Sequence, residues 1–462
     1  MDLGRFNNLF FIGIGGIGIS ALARYFKWQR KNVSGYDLTP SPLTEQLIRE
    51  GMTVFYDDDS SKLPDNIDLA IYTPAVPDSL GLFKTLTQRN IPIVKRAAIL
   101  GQITESHETI AIAGSHGKTT TTAILAHIFY QSPFGCTAFV GGIVSNYNSN
   151  FLRSSNTPFI VEADEYDRSL LRLKPTIAAI NSMDCDHLDI YGTEEELIKT
   201  YNLFANQIDK KGFLVVKKGL EKHINADVEV ITVSIEDNRA HYYSDNIRIE
   251  EGYYHFDLHT PHGVIEDVVF GGGGFINIAN AVTASAIALQ YGIDVATVKA
   301  ALQSFTGVQR RFQFRIRNEK MVLIDDYAHH PEEIRMLLRS VRDLYPDKKV
   351  TAVFQPHLYT RTRDFADEFA NSLSMLDSLI LLDIYPAREE PIEGVTSKMI
   401  FDKVTITDKC LCSKEKVINM LKSKEIGVLL TLGAGNIDTL VEPIEKMLKT
   451  KIHKTSNLIV TL

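Results

Sequence analysis

The string Gly114-Ser115-His116-Gly117-Lys118-Thr119-Thr120 constrains the chain more than any other, because it joins the apolar run 109–112 to a helical stretch predicted from about 118 to 130. Glycines let a backbone bend until successive N–H groups face phosphate oxygens, and the following helix N-terminus adds a favourable dipole. In this setting Lys118 neutralises the outer phosphates and the Thr119 hydroxyl ligates Mg²⁺. The pattern is shorter than the usual Gly-x-x-x-x-Gly-Lys loop, since its first glycine would fall at Ile112. A strand feeding a phosphate loop and a helix implies a mainly parallel α/β sheet.

A second strand–glycine turn–helix pattern opens the chain, with 9–12 followed by Gly13-Ile14-Gly15-Gly16-Ile17-Gly18 and an apolar-periodic stretch to Trp28. This is a variant of the dinucleotide fingerprint, in which Gly15, Gly16, Ile17 and Gly18 place a diphosphate on the helix N-terminus. Asp37 closes the next strand and is spaced to reach a ribose or base. Taken alone, the fingerprint also fits a nicotinamide or flavin oxidoreductase. The two loops together imply two nucleotide sites.

The length, 462 residues, suits about three domains. We expect boundaries near 105 and 308, giving 1–105, 106–307 and 308–462. Between about 213 and 270 aromatic and polar residues alternate, which predicts an antiparallel insertion. A third α/β unit starts at 321–324. With 57 acidic against 49 basic residues the net charge is −8, which argues against a general nucleic-acid or anionic-membrane surface. The longest apolar run, 9–23, is shorter than the roughly 20 residues needed to span a bilayer, so no membrane insertion is expected. Four irregularly spaced cysteines fit reduced thiols in a cytoplasm better than a disulfide framework.

Two acidic strings follow apolar strands: Glu162-Ala163-Asp164-Glu165-Tyr166-Asp167 and Asp184-Cys185-Asp186-His187-Leu188-Asp189. In a parallel sheet both open at the carboxyl edge that carries Lys118, where oxygen and imidazole donors can hold Mg²⁺. Asn277 and Asn280 lie three apart on a helix and can meet an adenine edge. Arg310-Arg311-Phe312 stands at the second boundary, where a cation can reach phosphate. In the third unit Asp325-Asp326-Tyr327-Ala328-His329-His330-Pro331 and Gln355-Pro356-His357-Leu358-Tyr359-Thr360-Arg361 each close a strand. Arg361 is placed to grip a carboxylate.

Together these strings resemble the Mur ligase family, ATP-dependent amide-forming enzymes of peptidoglycan precursor synthesis, from Phe11 to about Asn436. The resemblance implies a Rossmann-like N-terminal domain, a central P-loop ATPase-type α/β domain and a Rossmann-like C-terminal domain. Within the family the strings look most like the members that join L-alanine to the carboxylate of UDP-N-acetylmuramate through an acyl phosphate. A sister ligase that attaches a recycled tripeptide to the same sugar is the alternative.

The resemblance assigns Gly15, Gly16, Ile17, Gly18 and Asp37 to the UDP-sugar. It assigns Gly114, Ser115, His116, Gly117, Lys118, Thr119, Thr120, Asn277, Asn280, Arg311 and Asp326 to ATP, and Tyr327, His329 and Arg361 to the amino acid. Thr119, Glu162 and His187 would hold Mg²⁺. Lys118, Thr119, Glu162, His187 and Arg311 would form the catalytic set, in a cytoplasmic monomer or homodimer. Leu358 stands where many relatives carry arginine, so the carboxylate grip rests on Arg361 alone or with Arg363.

Overall fold

The structure, a computed structural model, describes residues 2–77, 79–155, 157–184, 191, 193–387 and 389–459, with side chains as far as residue 451. The chain forms two compact units. One comprises residues 1–246, 256–268 and 278–305, and the other 247–255, 269–277 and 306–462.

The first unit begins with five parallel strands, β1 (Asn8–Ile12), β2 (Asn32–Tyr36), β3 (Thr53–Phe55), β4 (Leu69–Tyr72) and β5 (Ile93–Lys95), in the order β3-β2-β1-β4-β5. Leu9 to Ile12 are all buried, as expected of a central strand covered on both faces. The helix Ile17–Trp28 starts directly after the glycine turn.

A second sheet has ten strands: β6 (Thr109–Ala113), β7 (Thr137–Val144), β8 (Ser149–Arg153), β9 (Phe159–Glu162), β10 (Ile177–Ile180), β11 (Phe213–Lys217), β12 (Glu229–Ile235), β13 (Tyr242–Glu250), β14 (Tyr253–Thr260) and β15 (Gly263–Phe270). Their order is β15-β14-β13-β12-β11-β10-β6-β9-β7-β8. β6 pairs in parallel with both β9 and β10, Ile112 facing Glu162 and Ala113 facing Ile180. The phosphate loop, the first acidic string and the residues 181–184 that follow β10 therefore leave the sheet side by side. The helix Lys118–Gln131 is buried from Thr119 to Phe129, which explains its lack of a polar face.

The antiparallel insertion is narrower than its sequence texture suggests. β11 pairs in parallel with β10, β12 with β11 and β13 with β12. Only β13, β14 and β15 are joined by two-residue turns, which permit antiparallel hairpins alone. Glu251 and Gly252 both have positive φ, the twist-matched hairpin turn. The hairpin of β7 and β8 was not legible in the sequence.

The second unit contains β16 (Gln313–Arg317), β17 (Val322–Asp326), β18 (Val350–Phe354), β19 (Ser378–Leu381), β20 (Lys409–Leu411) and β21 (Val428–Leu432) in the order β16-β17-β21-β18-β19-β20. All pairs are parallel except β16 with β17, an edge strand that precedes the expected start of this unit. Asp326 and Phe354 both align with Leu432. Their three following loops share one edge.

Candidate active site

Lys118 is the first residue of its helix, and Gly117 caps that helix with φ +79°, a conformation glycine adopts without strain. A Cβ on Gly117 would also stand 2.4 Å from Asn280 Oδ1. Lys118 Nζ donates to the Gly114 carbonyl at 2.8 Å and to both Glu165 oxygens at 2.7 and 2.8 Å. Glu165 is 1% exposed, and the Tyr191 hydroxyl donates to its carbonyl at 2.6 Å. A buried carboxylate with a fixed ammonium partner holds the cation in one place. Glu165 was visible only as part of an acidic string, and its partnership with Lys118 needs the fold.

The Thr119 hydroxyl donates to Glu162 Oε2 at 3.1 Å, and Gly141 N donates to Oε1 at 2.5 Å. A hydroxyl beside a carboxylate suits Mg²⁺, which takes one or two protein oxygens and fills its remaining positions with water and phosphate. Glu162 and Thr119 therefore fit that ion. His187, the expected further ligand, lies outside the described residues, as do Asp186 and Asp189. Among the described residues no three His, Cys, Asp or Glu side chains form a metal cluster.

Polar groups just after β10 brace the loop. Asn181 Nδ2 donates to Thr121 Oγ1 at 2.9 Å, which donates to Asn280 Oδ1 at 3.1 Å. His116 N donates to Ser182 Oγ at 2.8 Å, and the Ser115 hydroxyl to the Asp184 carbonyl at 2.7 Å. Asn280 thus supports the phosphate loop. Thr120, next along the helix, is buried. Asn277 lies in the other compact unit, where its amide donates to the Gly273 carbonyl at 2.5 Å.

At the N-terminal glycine turn, Gly13 and Ile14 donate to the Tyr36 carbonyl at 2.8 and 3.0 Å. Asp37 closes on the turn itself: Oδ2 accepts from Gly15 N at 2.7 Å and Oδ1 from Leu38 N at 2.8 Å. Gly16 and Ile17 remain exposed. A Cβ on Gly18 would meet the Arg96 guanidinium at 3.1 Å, a cation the sequence did not single out.

In the second unit both Asp326 oxygens serve the backbone, accepting from Phe312 N at 2.6 Å and Ala328 N at 2.7 Å. Burial pushes its carboxyl up to about 7, against those donors and Arg311. Tyr327 is 37% exposed, with the Arg310 and Arg311 guanidinium carbons 4.9 and 6.0 Å from its ring centre. His329 packs edge-on against Tyr327 at 5.1 Å and lies 5.9 Å from His357, whereas His330 turns away onto Phe365.

Burial lowers the His329 pKa, Glu333 opposes the shift and Arg361 adds to it. A buried Nη1 of Arg361 has no hydrogen-bond partner among the described residues. Such a donor is expensive to leave unmet, so it points to an anionic group. Arg363 is exposed and pairs with Asp364 at 2.7 Å. Glu389, which the sequence did not flag, caps the preceding turn by accepting from Tyr359 N at 2.6 Å and Thr360 N at 3.1 Å.

A phosphate loop with lysine, hydroxyl and two carboxylates in contact, and a glycine-turn sheet packed in the same unit, define a nucleotide-phosphate-binding α/β protein. Residues 8–108 match the catalytic domain of the Mur ligase family, 112–288 the Mur ligase middle domain and 310–435 the Mur ligase glutamate ligase domain. The chain is 47% identical to UDP-N-acetylmuramate–L-alanine ligase of Flavobacterium johnsoniae over 98% of this chain and 100% of the relative. Among solved structures, UDP-N-acetylmuramate-alanine ligase of Thermotoga maritima aligns with TM-score 0.83 and 25% identity, covering 96% of this chain and 99% of that one. A murein peptide ligase of Psychrobacter arcticus aligns with TM-score 0.69 and 20% identity, covering 96% and 98%. This chain belongs to the Mur ligase family, and its fold is that family's three-domain α/β architecture. No helix among the described residues is long and apolar enough to cross a membrane.

Proposed function

We propose that this chain joins L-alanine to the carboxylate of UDP-N-acetylmuramate, using ATP, in cytoplasmic peptidoglycan precursor synthesis. The observation that carries the reaction class is the contact of Lys118 with Glu165 and of Thr119 with Glu162 at one glycine loop. The acceptor is inferred from the full-length likeness to L-alanine ligases.

The muramate carboxylate attacks the γ-phosphorus and ADP leaves, giving an acyl phosphate. The alanine amine then attacks the acyl carbon and phosphate departs. Lys118, fixed by Glu165, neutralises charge on the transferring phosphoryl group, and loop N–H groups orient it. Thr119 and Glu162 would hold Mg²⁺, which would supply Lewis-acid charge for the phosphates. Arg361 binds the alanine carboxylate through its free donor. His329, kept neutral by burial, receives a proton from the alanine ammonium. Its Nδ1 faces the Tyr327 carbonyl at 3.0 Å, which leaves Nε2 as the acceptor.

ADP release with UDP-N-acetylmuramate and Mg²⁺ tests this, offering L-alanine, D-glutamate or the recycled tripeptide as acceptor. L-alanine alone is expected to support turnover. Turnover with the tripeptide only would overturn the assignment in favour of the sister ligase.

A further inference from the structure

Asn150 lies on β8 and is completely buried. A buried primary amide must place two donors and an acceptor, and here all of them go to the helix Ile17–Trp28. Nδ2 donates to the Ile17 carbonyl at 2.6 Å and the Ser20 hydroxyl at 2.9 Å, while Oδ1 accepts from Arg24 Nη1. Residues 17, 20 and 24 are spaced by three and four and so form one stripe. Arg24, 5% exposed, is held by a two-pronged contact with Glu50, each prong 2.9 Å.

That helix is capped by Gly16 and starts directly after the glycine turn. Tyr25 extends its packing onto Phe139, Phe151 and Phe159 at 5.5, 6.1 and 6.2 Å between ring centres. Phe159 opens β9, and Glu162 ends it. Apolar burial is non-directional and restrains sliding only loosely, whereas hydrogen bonds fix the helix in position.

We propose that Asn150 is a positioning residue for phosphoryl transfer. Its amide locks the glycine-turn helix onto the sheet that carries Lys118, Thr119 and Glu162, and so sets where the sugar carboxylate meets the γ-phosphate. The inference rests on the ligase reading above. Removing the amide leaves the turn's own N–H groups intact, so the sugar nucleotide still binds. A displacement of about 1 Å between reacting groups lowers turnover on the order of 100-fold.

The test compares full-length Asn150→Ala and Asn150→Asp with Leu302→Ala, which trims a buried side chain of the same unit. Asn150→Ala is expected to lower kcat by roughly 10- to 100-fold, with the KM for ATP and the calorimetric Kd for UDP-N-acetylmuramate within about threefold of wild type. Asn150→Asp keeps the acceptor for Arg24 and is expected to fall between. Leu302→Ala is expected to lower the thermal midpoint while keeping kcat per folded molecule. An unchanged kcat in Asn150→Ala, or a loss that only tracks unfolding as in Leu302→Ala, overturns the proposal. Absence of ADP release in the wild-type enzyme overturns the ligase reading and this inference with it.

Discussion

His127 gives the molecule a built-in acid sensitivity whose size follows from its surroundings. The residue is 2% exposed in the helix Lys118–Gln131, with Nδ1 2.8 Å from the Tyr147 hydroxyl and Nε2 2.8 Å from the Gln131 amide. Burial lowers its pKa from 6.5 to about 4. Above pH 6.5 it is neutral whether the chain is folded or not. Between 6.5 and 4 the unfolded chain binds a proton that the folded chain refuses, so the stability present at neutral pH is lost as pH falls through that window. At 1.36 kcal/mol per pKa unit the loss reaches about 2.5 kcal/mol near pH 4.5.

Trp28 is the single tryptophan and lies in the same compact unit as His127, so its fluorescence reports unfolding of that unit. Urea unfolding of wild type and His127→Gln is to be followed from about pH 7.5 to 4.5. Gln cannot take up a proton. The variant is expected to be less stable at neutral pH, and the gap should narrow by about 2.5 kcal/mol on acidification. Parallel pH curves would refute the reasoning.

Lys118→Ala should abolish ligation while leaving the calorimetric Kd for UDP-N-acetylmuramate within about threefold, because the two phosphate loops belong to different sheets. It removes the partner of a buried carboxylate, so a stability loss of about 3–5 kcal/mol should accompany it in urea unfolding. Arg361→Lys should raise the KM for L-alanine by roughly 10- to 100-fold and leave the KM for ATP unchanged, since a point charge replaces a charge-assisted fork. Steady-state kinetics with each substrate varied checks this.

Glycine spacing, the strand before it and the helix after it made both loops legible from residues 13–18 and 114–120. These features are local, set by what a few neighbouring backbones can adopt. The parallel pairing of β11 and β12 was not legible, because alternating residues suit a half-covered strand of either direction and the partner decides. The sequence by itself determined the α/β class, the chemistry available at each strand end and the family. Only the tertiary structure decided how those groups are used. It turned Asp37 onto its own glycine turn, set Glu165 on Lys118, spent both oxygens of Asp326 on backbone donors and joined Asn150 to Ile17. Apart from the local Ala328 bond to Asp326, these links join residues 14 to 133 positions apart, and no local propensity selects such a partner. Burial does, because a polar group taken out of water must find its complement wherever the fold brings one.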